Sequence, residues 1–331
     1  MSKTKTAPDL MYQKCSDQLW KMYEDMLLMR RFEERVIQLY QEKYIAGFCH
    51  TYIGQEAVLV GAMQVMQKGD PMMTGYRCHA HALAAGCTPR EVMAELVGRV
   101  SGCSGGKGGS MHLYNIPAGF YGGHGIVGAY TAIGTGIALA EKYKKTGKIC
   151  FTFFGDGASN QGQVYESYNM ASLWKLPVIY IIENNRYGIG TSSTRSCAGG
   201  PLYERAAPFG IPGWHADGMD VFDIIAKMEL AEAHVRGGNG PAVVECATYR
   251  YKGHSVSDPA NYRSKEEVDG MKLQDPILKL EEEIKKTGDF SEERKAETSN
   301  AVMQKVRDAA DFAKSEPEPG SDALWKNVYA T

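Results

Sequence analysis

ICFTFFGDGASNQGQVYESYNMASLWKLPVIYIIENNRYGIGTS, residues 149–192, is the stretch that decides the fold of this chain. Two short apolar runs, 149–154 and 178–182, enclose a polar segment at about 160–174 whose composition suits a helix. Two apolar runs joined by one helix predict a βαβ unit in which both strands are buried. We therefore expect an α/β protein that binds its ligands where the parallel strands end.

Polar residues follow both apolar runs. The first run ends at Gly155, Asp156 and Gly157, and the second leads to Asn184 and Asn185. Parallel neighbours lie about 4.8 Å apart and their carboxyl ends share one edge of the sheet, so Asp156 and Asn185 should meet there. Carboxylate and carboxamide oxygens are hard ligands that suit Mg²⁺ or Ca²⁺. The pattern predicts a metal site at this edge.

A phosphate group fits the same edge. Gly155 and Gly157 let backbone N–H groups approach an anion closely, and a helix that begins near Asn160 adds the positive end of its dipole. Mg²⁺ commonly completes its octahedron with phosphate oxygens and water. The alternative is a tight turn with an Asp cap beside an Asn-rich loop, but a second strand that ends in Asn184 and Asn185 favours a metal–diphosphate site.

Gly-Asp-Gly followed by a helix and a strand that ends in Asn-Asn resembles the thiamine-diphosphate binding motif. Residues 155–192 as a whole resemble the alpha subunits of pyruvate dehydrogenases, the decarboxylating first component of the 2-oxo acid dehydrogenase complexes. The likeness extends from about Met22 to about Pro276. It implies a thiamine-diphosphate-binding fold, with a central, mostly parallel sheet flanked by helices. It also implies thiamine diphosphate and Mg²⁺ as cofactors and pyruvate as the substrate.

The resemblance assigns contacts with the cofactor residue by residue. It places a tyrosine and an arginine at the diphosphate, main-chain groups at the aminopyrimidine and an apolar wedge that bends the cofactor. The cofactor-binding residues expected on this basis are Tyr76, Arg77, Gly125, Val127, Asp156, Gly157, Ala158, Asn185, Tyr187, Ile189 and His254. The expected metal ligands are Asp156, Asn185 and the main-chain oxygen of Tyr187.

Two histidines and one serine are assigned by the resemblance alone. His50 follows Phe48 and Cys49, as does the family's histidine near the substrate, and His254 corresponds to one that reaches the diphosphate. We expect both histidines to be catalytic. Ser255 stands where mitochondrial members are phosphorylated, so it is the candidate regulatory residue.

Some parts of the chain depart from the family pattern or leave two interpretations open. Residues 101–125 contain nine glycines, and they form no Walker loop because Lys107 is followed by Gly108. This composition suits either a mobile loop or a backbone brought close to a ligand. Tyr130 stands where pyruvate-type relatives usually have Gln, and the run 115–119 is longer than the corresponding family loop.

The chain offers no carboxylate that we can assign to ionising the pyrimidine ring of the cofactor. In the resembled family the beta subunit supplies it, so we expect a site shared with a beta subunit in an α2β2 heterotetramer. Small residues also recur every four positions, at Gly128, Ala132, Gly136 and Ala140, and form a flat helix face. The family packs such helices between subunits, which favours a subunit contact over packing against the chain's own sheet. The lipoyl domain of the dihydrolipoyl acetyltransferase component is a further implied partner.

Three segments are expected along the chain: an N-terminal helical arm at 1–46, an α/β cofactor domain at 47–275 and a C-terminal helical extension at 276–331. Apolar residues at helical spacing predict one long helix at about 16–44. Residues 197–219 are rich in Gly and Pro and are expected to form a loop. The charged C-terminal extension is expected to be helical and solvated.

Composition narrows the class of protein further. The 331 residues carry a net charge of −2 with both signs mixed, so neither nucleic acid nor an anionic membrane is expected as a partner. The uncharged stretch 125–140 is too short and too rich in Gly to span a bilayer. The start, MSKTKTAPDL, lacks the apolar core of a secretory signal. Eight cysteines without a C-x-x-C pair suit reduced thiols. We expect a cytoplasmic (bacterial) or mitochondrial-matrix protein.

Other readings of the same sequence stay open. An acetoin or branched-chain 2-oxo acid dehydrogenase alpha subunit would share most of the motif, although residues 120–125 look pyruvate-type. A non-catalytic scaffold could keep the fold after losing the site. The intact Asp156, Asn185 and His254 argue against that alternative.

Overall fold

The computed structural model describes residues 16–329. Residues 1–15 and 330–331 lie outside that range, and with them the prediction on the N-terminal signal and Cys15. The helices are α1 Ser16–Gln41, α2 Glu56–Met63, α3 His79–Ala84, α4 Pro89–Leu96, α5 Ala129–Lys144, α6 Gly162–Leu173, α7 Ser193–Ser196, α8 Val221–Arg236, α9 Lys265–Lys272, α10 Pro276–Lys286 and α11 Glu292–Ser315. The strands are β1 Met72–Gly75, β2 Phe120–His124, β3 Cys150–Gly155, β4 Val178–Asn184, β5 Tyr187–Gly188, β6 Thr191–Ser192, β7 Gly213–Asp217 and β8 Ala242–Ala247.

Six of these strands form one parallel sheet in the order β2-β1-β3-β4-β8-β7. The predicted βαβ unit is confirmed, because β3, α6 and β4 follow one another and the two strands are direct neighbours. Gly155 pairs with Glu183 in the register of this pair. The residues that follow each strand, including Asp156 and Asn185, are thereby brought to one edge. The short β5–β6 ribbon is antiparallel and separate from the sheet.

Alternate residues of the central strands face two different hydrophobic cores. Phe151 and Phe153 of β3 pack in the larger core, together with α1, α2, α8 and the C-terminal helices. Phe154 of β3 and Tyr180 of β4 face the second core, which α5 and α6 cover. Because side chains alternate along a strand, a continuous apolar run is what a sheet covered on both faces requires.

Two segments differ from their predictions. Residues 197–219 contain a 3₁₀ helix, Leu202–Phe209, and the edge strand β7, where a loop was expected. The C-terminal extension is helical as predicted, but its inner face is buried rather than solvated. Leu280 and Val306 lie in the same core as residues of α1. The three proposed domains thus share one core, and their boundaries at 46/47 and 275/276 stay predictions.

The glycine-rich loop is folded around a carboxylate of the chain itself. Glu95, at the end of α4, is fully buried and accepts four main-chain N–H bonds. Its Oε1 accepts from Gly108 at 2.6 Å and Gly109 at 3.2 Å, and its Oε2 accepts from Ser104 and Gly106 at 2.8 Å each. These four N–H groups bind Glu95, so they belong neither to a mobile loop nor to a backbone that is open to a ligand.

The middle of the small-residue stripe, on α5, faces outward. Ala132 and Gly136 are exposed, and a Cβ added to Gly136 would have no neighbour within 4 Å. Gly128, which precedes α5, is instead buried, and a Cβ added to it would come within 2.8 Å of the Gln161 side chain. Ala132 and Gly136 therefore do not pack against the chain's own sheet; on the opposite face, a Cβ added to Gly134 would meet Thr152 of β3. No helix in the part of the chain from 16 to 329 is long and apolar enough to cross a membrane.

Candidate functional site

A cleft of about 230 Å³ opens at the carboxyl edge of the sheet, where β1, β3 and β4 end. It is lined by Gln55, Thr74, Gly75, Tyr76, Arg77, Val127, Tyr130, Phe154, Gly155, Asp156, Gly157, Ala158, Glu183, Asn185, Tyr187, Gly188, Ile189 and Arg250. Every predicted cofactor-binding residue except Gly125 and His254 lies in this lining. The sheet topology thus brings together residues from six separate parts of the sequence.

Asp156 occupies the end of β3 with one unsatisfied oxygen. The side chain is 2% exposed, and its Oδ2 has no hydrogen-bond partner. Burial raises the pKa of this carboxyl group to about 6, although the main-chain N–H groups of Asp156 and Gly157 and the Arg250 guanidinium favour the charged form. A buried carboxylate oxygen without a donor is costly unless a cation occupies the position next to it.

Asn185 follows β4 and presents its amide beside Asp156. Its Nδ2 donates to Gln55 Oε1 at 3.1 Å, which orients the carboxamide. Its Oδ1 accepts only a long bond, 3.4 Å, from the N–H of Tyr187. The amide oxygen therefore keeps capacity to bind a further group, as a metal ligand must.

Arg250 fixes the turn that carries Tyr187 and Ile189. Its Nη1 donates to the Tyr187 carbonyl oxygen at 3.0 Å, and its Nη2 donates to the Ile189 carbonyl oxygen at 2.9 Å. The Tyr187 oxygen, a predicted metal ligand, keeps one of its two lone pairs. Ile189 has φ +54°, a left-handed conformation that is unfavourable for a β-branched residue, and its side chain is 66% exposed at the cleft. The Arg250 bonds stabilise this strained conformation.

A second arginine, Arg77, also lines the cleft. Its Nη1 donates to the Thr51 carbonyl oxygen at 2.5 Å and its Nη2 to the His254 carbonyl oxygen at 3.0 Å. Burial, with the charge of Arg77 next in effect, lowers the pKa of Arg250 to about 10. The two buried positive charges repel each other, and a bound anion would reduce this repulsion.

His50 and His254 lie behind Tyr76 rather than in the lining itself. The His50 ring is centred 4.4 Å from the ring of Tyr76 and 5.0 Å from that of His254. The Nδ1 atoms of both histidines are buried without a partner. Burial, with Arg77 next in effect, lowers the pKa of His50 to about 2 and that of His254 to about 4. Both rings are therefore neutral at pH 7.

Ser255 is only 8% exposed, because its loop is packed down. Its Oγ lies 2.9 Å from Ser257 Oγ, and the N–H of the next residue, Val256, donates to the Cys49 carbonyl oxygen at 2.8 Å. A kinase would have to open this loop to reach the hydroxyl. The regulatory role of Ser255 stays a prediction.

The two residues predicted to hold the aminopyrimidine, Gly125 and Val127, differ in their position relative to the cleft. Val127 lines the cleft, whereas Gly125 lies beside it, where an added Cβ would come within 3.3 Å of the His112 ring. Gly157 and Ala158 line the cleft next to Asp156. Tyr130, noted above as a departure, is buried in the cleft wall under Gly75.

The lining residues that sequence reasoning did not assign include Gln55, Glu183, Arg250 and Tyr130. A sequence signal existed for two of them, because Arg250 follows β8 and Glu183 lies at the end of β4, at the same edge of the sheet as Asp156. Gln55 carried no such signal. Tyr52 donates a hydrogen bond to Glu183, which is buried, and this burial raises the pKa of Glu183 to about 7.

The residues of the cleft fit a diphosphate with a divalent cation. An unpaired buried carboxylate oxygen, an amide oxygen and a main-chain oxygen suit Mg²⁺, and two guanidinium groups suit phosphate. No cluster of three or more His, Cys, Asp or Glu side chains that could hold a metal occurs among residues 16–329. The predicted ligand set contains a single carboxylate and depends on phosphate oxygens for the rest.

Fold and cleft together define a parallel α/β protein with a cleft at the carboxyl edge of its sheet, whose residues could hold a metal ion and a diphosphate. Residues 24–322 match the family described as dehydrogenase E1 component. The chain belongs to the dehydrogenase E1 component family. This match covers both the cleft and the C-terminal helices.

Individual relatives agree with the family. The chain is 51% identical over 318 residues to the pyruvate dehydrogenase E1 component subunit alpha of Rickettsia bellii (strain RML369-C), covering 96% of this chain and 98% of the relative. It is 52% identical over 309 residues to the protein of the same name from Rhizobium meliloti (strain 1021), covering 93% and 89%. The mitochondrial relative from Sminthopsis macroura is 46% identical over 312 residues, covering 94% and 85%.

Proposed function

We propose that this chain is the alpha subunit of a pyruvate dehydrogenase that decarboxylates pyruvate and passes the acetyl group to a lipoyl group. The observation that carries the proposal is the unpaired, buried Oδ2 of Asp156 in a cleft between two guanidinium groups, in a chain whose relatives bear that name. Acetoin and branched-chain homologues are less favoured, because the relatives named above are pyruvate dehydrogenase subunits. A non-catalytic scaffold is disfavoured by the retained ligand set.

In this function, Asp156, Asn185 and the Tyr187 main-chain oxygen hold Mg²⁺. Arg77 and Tyr76 donate to the diphosphate, and Arg250 holds the turn at Tyr187 in place. Thiamine diphosphate, when bound, supplies a carbon nucleophile for the 2-oxo acid and takes up the electrons released as CO2 leaves. The main chain at Gly125 and Val127 and the side chain of Ile189 orient its two rings.

The two histidines serve the substrate side of the site. Because His50 and His254 are neutral at pH 7, each can offer one N–H donor and one acceptor nitrogen to a bound group. Their partnerless Nδ1 atoms leave that capacity unused within the chain. We assign His50 to the substrate and His254 to the diphosphate end of the cofactor.

The site requires a second subunit in this proposal. Asp156 and Glu183 are the carboxylates of the cleft lining. Asp156 is the proposed metal ligand and Glu183 accepts a hydrogen bond from Tyr52, so a beta subunit would supply the carboxylate for the pyrimidine ring in an α2β2 heterotetramer. The exposed apolar side chains Ile133, Leu139 and Tyr143 of α5 support such a contact.

Further partners and the location follow from the same proposal. The lipoyl domain of a dihydrolipoyl acetyltransferase component would accept the acetyl group. The compartment would be a bacterial cytoplasm or a mitochondrial matrix, since the relatives include bacterial proteins and a mitochondrial one.

The test compares the chain alone with the chain co-expressed with a beta-type partner. Both preparations receive Mg²⁺ and thiamine diphosphate, and pyruvate-dependent reduction of a dye acceptor is measured. The assembly should be soluble and active, and the isolated chain should be inactive because the activating carboxylate is missing. Comparable activity of the isolated chain would disprove the shared site. Turnover of 3-methyl-2-oxobutanoate or acetoin in place of pyruvate would disprove the substrate.

A further inference from the structure

A chain of buried polar side chains, Glu33, His79 and Ser110, lies next to the cleft without lining it. His79 Nδ1 is 2.8 Å from Glu33 Oε2, and His79 Nε2 is 2.8 Å from Ser110 Oγ. All three residues are buried, His79 completely. Carboxylate, imidazole and hydroxyl stand in the order of a nucleophilic triad.

Burial excludes a nucleophilic role for Ser110. Its side chain is buried, and none of the three residues lines the cleft, so a substrate bound there cannot reach the Ser110 hydroxyl. His79 Nε2 also lies 3.1 Å from the carbonyl oxygen of Ser110. The three side chains must serve something other than nucleophilic attack.

Both ends of this chain bind the main chain at residues 50–52. Ser110 Oγ accepts from the N–H of His50 at 3.4 Å, and Glu33 Oε1 accepts from the N–H of Tyr52 at 2.9 Å. The two N–H groups belong to alternate residues, so they point to the same side of the strand-like segment. Glu33 binds both Tyr52 and His79, which joins the two anchor points into one unit.

The opposite side of the same segment contacts two residues that line the cleft, Arg77 and Tyr76. Arg77 holds it there by donating to the Thr51 carbonyl oxygen at 2.5 Å. The ring of His50 is packed 4.4 Å from that of Tyr76 and 5.0 Å from that of His254. The position of the His50 ring therefore depends on a backbone held from both sides.

We propose that Glu33, His79 and Ser110 are positioning residues that place His50 for its work on the substrate. The inference rests on the proposed function for the role of His50. The three residues act through the main chain of residues 50–52 and touch neither substrate nor cofactor. Removing any of these three side chains should leave cofactor binding intact and misplace the ring of His50.

The first test is Ser110→Ala in the assembly with a beta-type partner. We expect kcat for pyruvate to fall roughly tenfold, because a misplacement of about 1 Å costs rate rather than binding. The Kd for thiamine diphosphate, measured by calorimetry, should stay within about twofold. The control is Ser167→Ala, a buried serine of α6 whose Oγ bonds the Gln163 carbonyl oxygen, which should leave kcat unchanged. An equal loss in both variants, or a loss of cofactor binding in Ser110→Ala, would overturn the proposal.

A double-mutant cycle tests whether Ser110 acts through His50. On a His50→Ala background, Ser110→Ala should change kcat by less than about twofold, since the ring to be positioned is gone. A general structural role would give the same loss with or without His50. If Ser110→Ala and His50→Ala lower kcat by independent factors that multiply in the double variant, the proposal is contradicted.

A conservative substitution at Glu33 should preserve the hydrogen bonds that an alanine would remove. In Glu33→Gln the amide oxygen can accept from Tyr52 N–H, and the amide N–H can donate to Nδ1 of a neutral His79. We expect Glu33→Gln to keep kcat within about threefold, and Glu33→Ala to lose as much as Ser110→Ala. Equal losses for Gln and Ala would show that the connected hydrogen bonds are not what matters.

A crystal structure of the Ser110→Ala assembly separates failure of this inference from failure of the proposed function. Displacement or disorder of the His50 ring by about 1 Å or more, with the cleft otherwise unchanged, is the expected result. It is measurable even if the assembly does not turn over pyruvate. An unmoved ring would overturn the inference and leave the proposed function untouched.

Discussion

Asp156 is a residue whose charge the folded chain alone does not compensate. Its carboxyl group is buried and its pKa is raised to about 6, so at pH 7 the ionised form is present but poorly solvated. A buried carboxylate of this kind stabilises a bound cation, and it lowers the stability of the folded chain when no cation is bound. In the proposed function, the charge is explained by the Mg²⁺ ion that Asp156 binds rather than by the fold.

Asp156→Asn should weaken binding of thiamine diphosphate with Mg²⁺ by about tenfold to a thousandfold, or about 1.4–4 kcal/mol. Calorimetric titration of the assembly with the cofactor measures this. The thermal midpoint without cofactor should be equal or higher, because a poorly solvated charge is removed. Asp269→Asn, which breaks an exposed ion pair on α9, serves as the control and should change neither quantity. Cofactor affinity within twofold of wild type would refute the ligand assignment.

His81 is a fully buried histidine that the fold holds neutral. Its ring lies edge-on between the rings of Tyr52 and Phe153, and burial lowers its pKa from 6.5 to about 3. Glu183 Oε1, 3.8 Å from Nε2, would favour the charged ring, but this distance is too long for a hydrogen bond and burial has the larger effect. The unfolded chain binds a proton below pH 6.5 that the folded chain does not.

Stability should consequently be complete above about pH 6.5 and fall as the pH drops toward 3. Between pH 7 and pH 5, His81 should contribute about 2 kcal/mol of that loss, or roughly 2–4 °C in thermal midpoint. The measurement is the thermal midpoint of wild type and His81→Gln at both pH values. The variant should lose less on acidification than wild type. An identical shift in the two proteins would mean that His81 takes up its proton in the folded state.

At the scale of elements, the glycine-rich loop owes its shape to Glu95. The loop has no regular hydrogen-bond ladder, and four of its N–H groups converge on one carboxylate at the end of α4. Glycine is required where the backbone approaches that carboxylate closely; a Cβ on Gly102 would come within 2.3 Å of Glu95 Oε2. The C-terminal tail also packs on the loop, where the N–H of Val100 donates to the Pro317 carbonyl oxygen.

Glu95→Gln should destabilise the protein by on the order of 2–4 kcal/mol. The amide offers one oxygen instead of two and directs its own N–H groups at two of the loop's donors. A fall in thermal midpoint of several degrees is expected, together with easier proteolysis at residues 101–112. Glu297→Gln, at an exposed position of α11, is the matched control and should have no effect. An unchanged midpoint for Glu95→Gln would show that the loop is held by other contacts.

At the scale of the whole molecule, α5 presents a flat face to the outside. The exposed Gly136 lies on it beside apolar side chains, of which Tyr143 is 87% exposed. Small residues allow another backbone to approach closely, and apolar neighbours gain from being covered. This face is the part of the surface that we expect a second subunit to cover.

Gly136→Leu isolates that contact, because leucine is a better helix former than glycine by roughly 0.8 kcal/mol and a Cβ at this position has no atom of the chain within 4 Å. The folded chain should thus be unharmed, while the assembly with a beta-type partner should be lost because the backbones can no longer approach. Co-purification and size-exclusion chromatography measure this. Gly270→Leu, in helix α9 with equally open surroundings, should assemble normally. Normal assembly of Gly136→Leu would exclude this face from the interface.

Sequence alone determined the local elements and the edge at which the site forms. The continuous apolar runs and the polar residues that follow them, Asp156 and Asn185, are patterns within a few residues, so they can be read without the fold. The long helix predicted at about 16–44 is confirmed as α1, Ser16–Gln41. The rule that parallel strands share an edge then placed Asp156 and Asn185 in one cleft.

Only the tertiary structure decided which distant polar groups pair. The N–H groups of the glycine-rich loop bind Glu95, Arg250 binds the carbonyl oxygens of Tyr187 and Ile189, and Glu33 reaches His79. None of these pairs has a local signal, because each joins side chains or loops that meet only when the whole chain has closed. A buried donor must find an acceptor, but sequence does not say which one; the packing of the complete fold makes that choice.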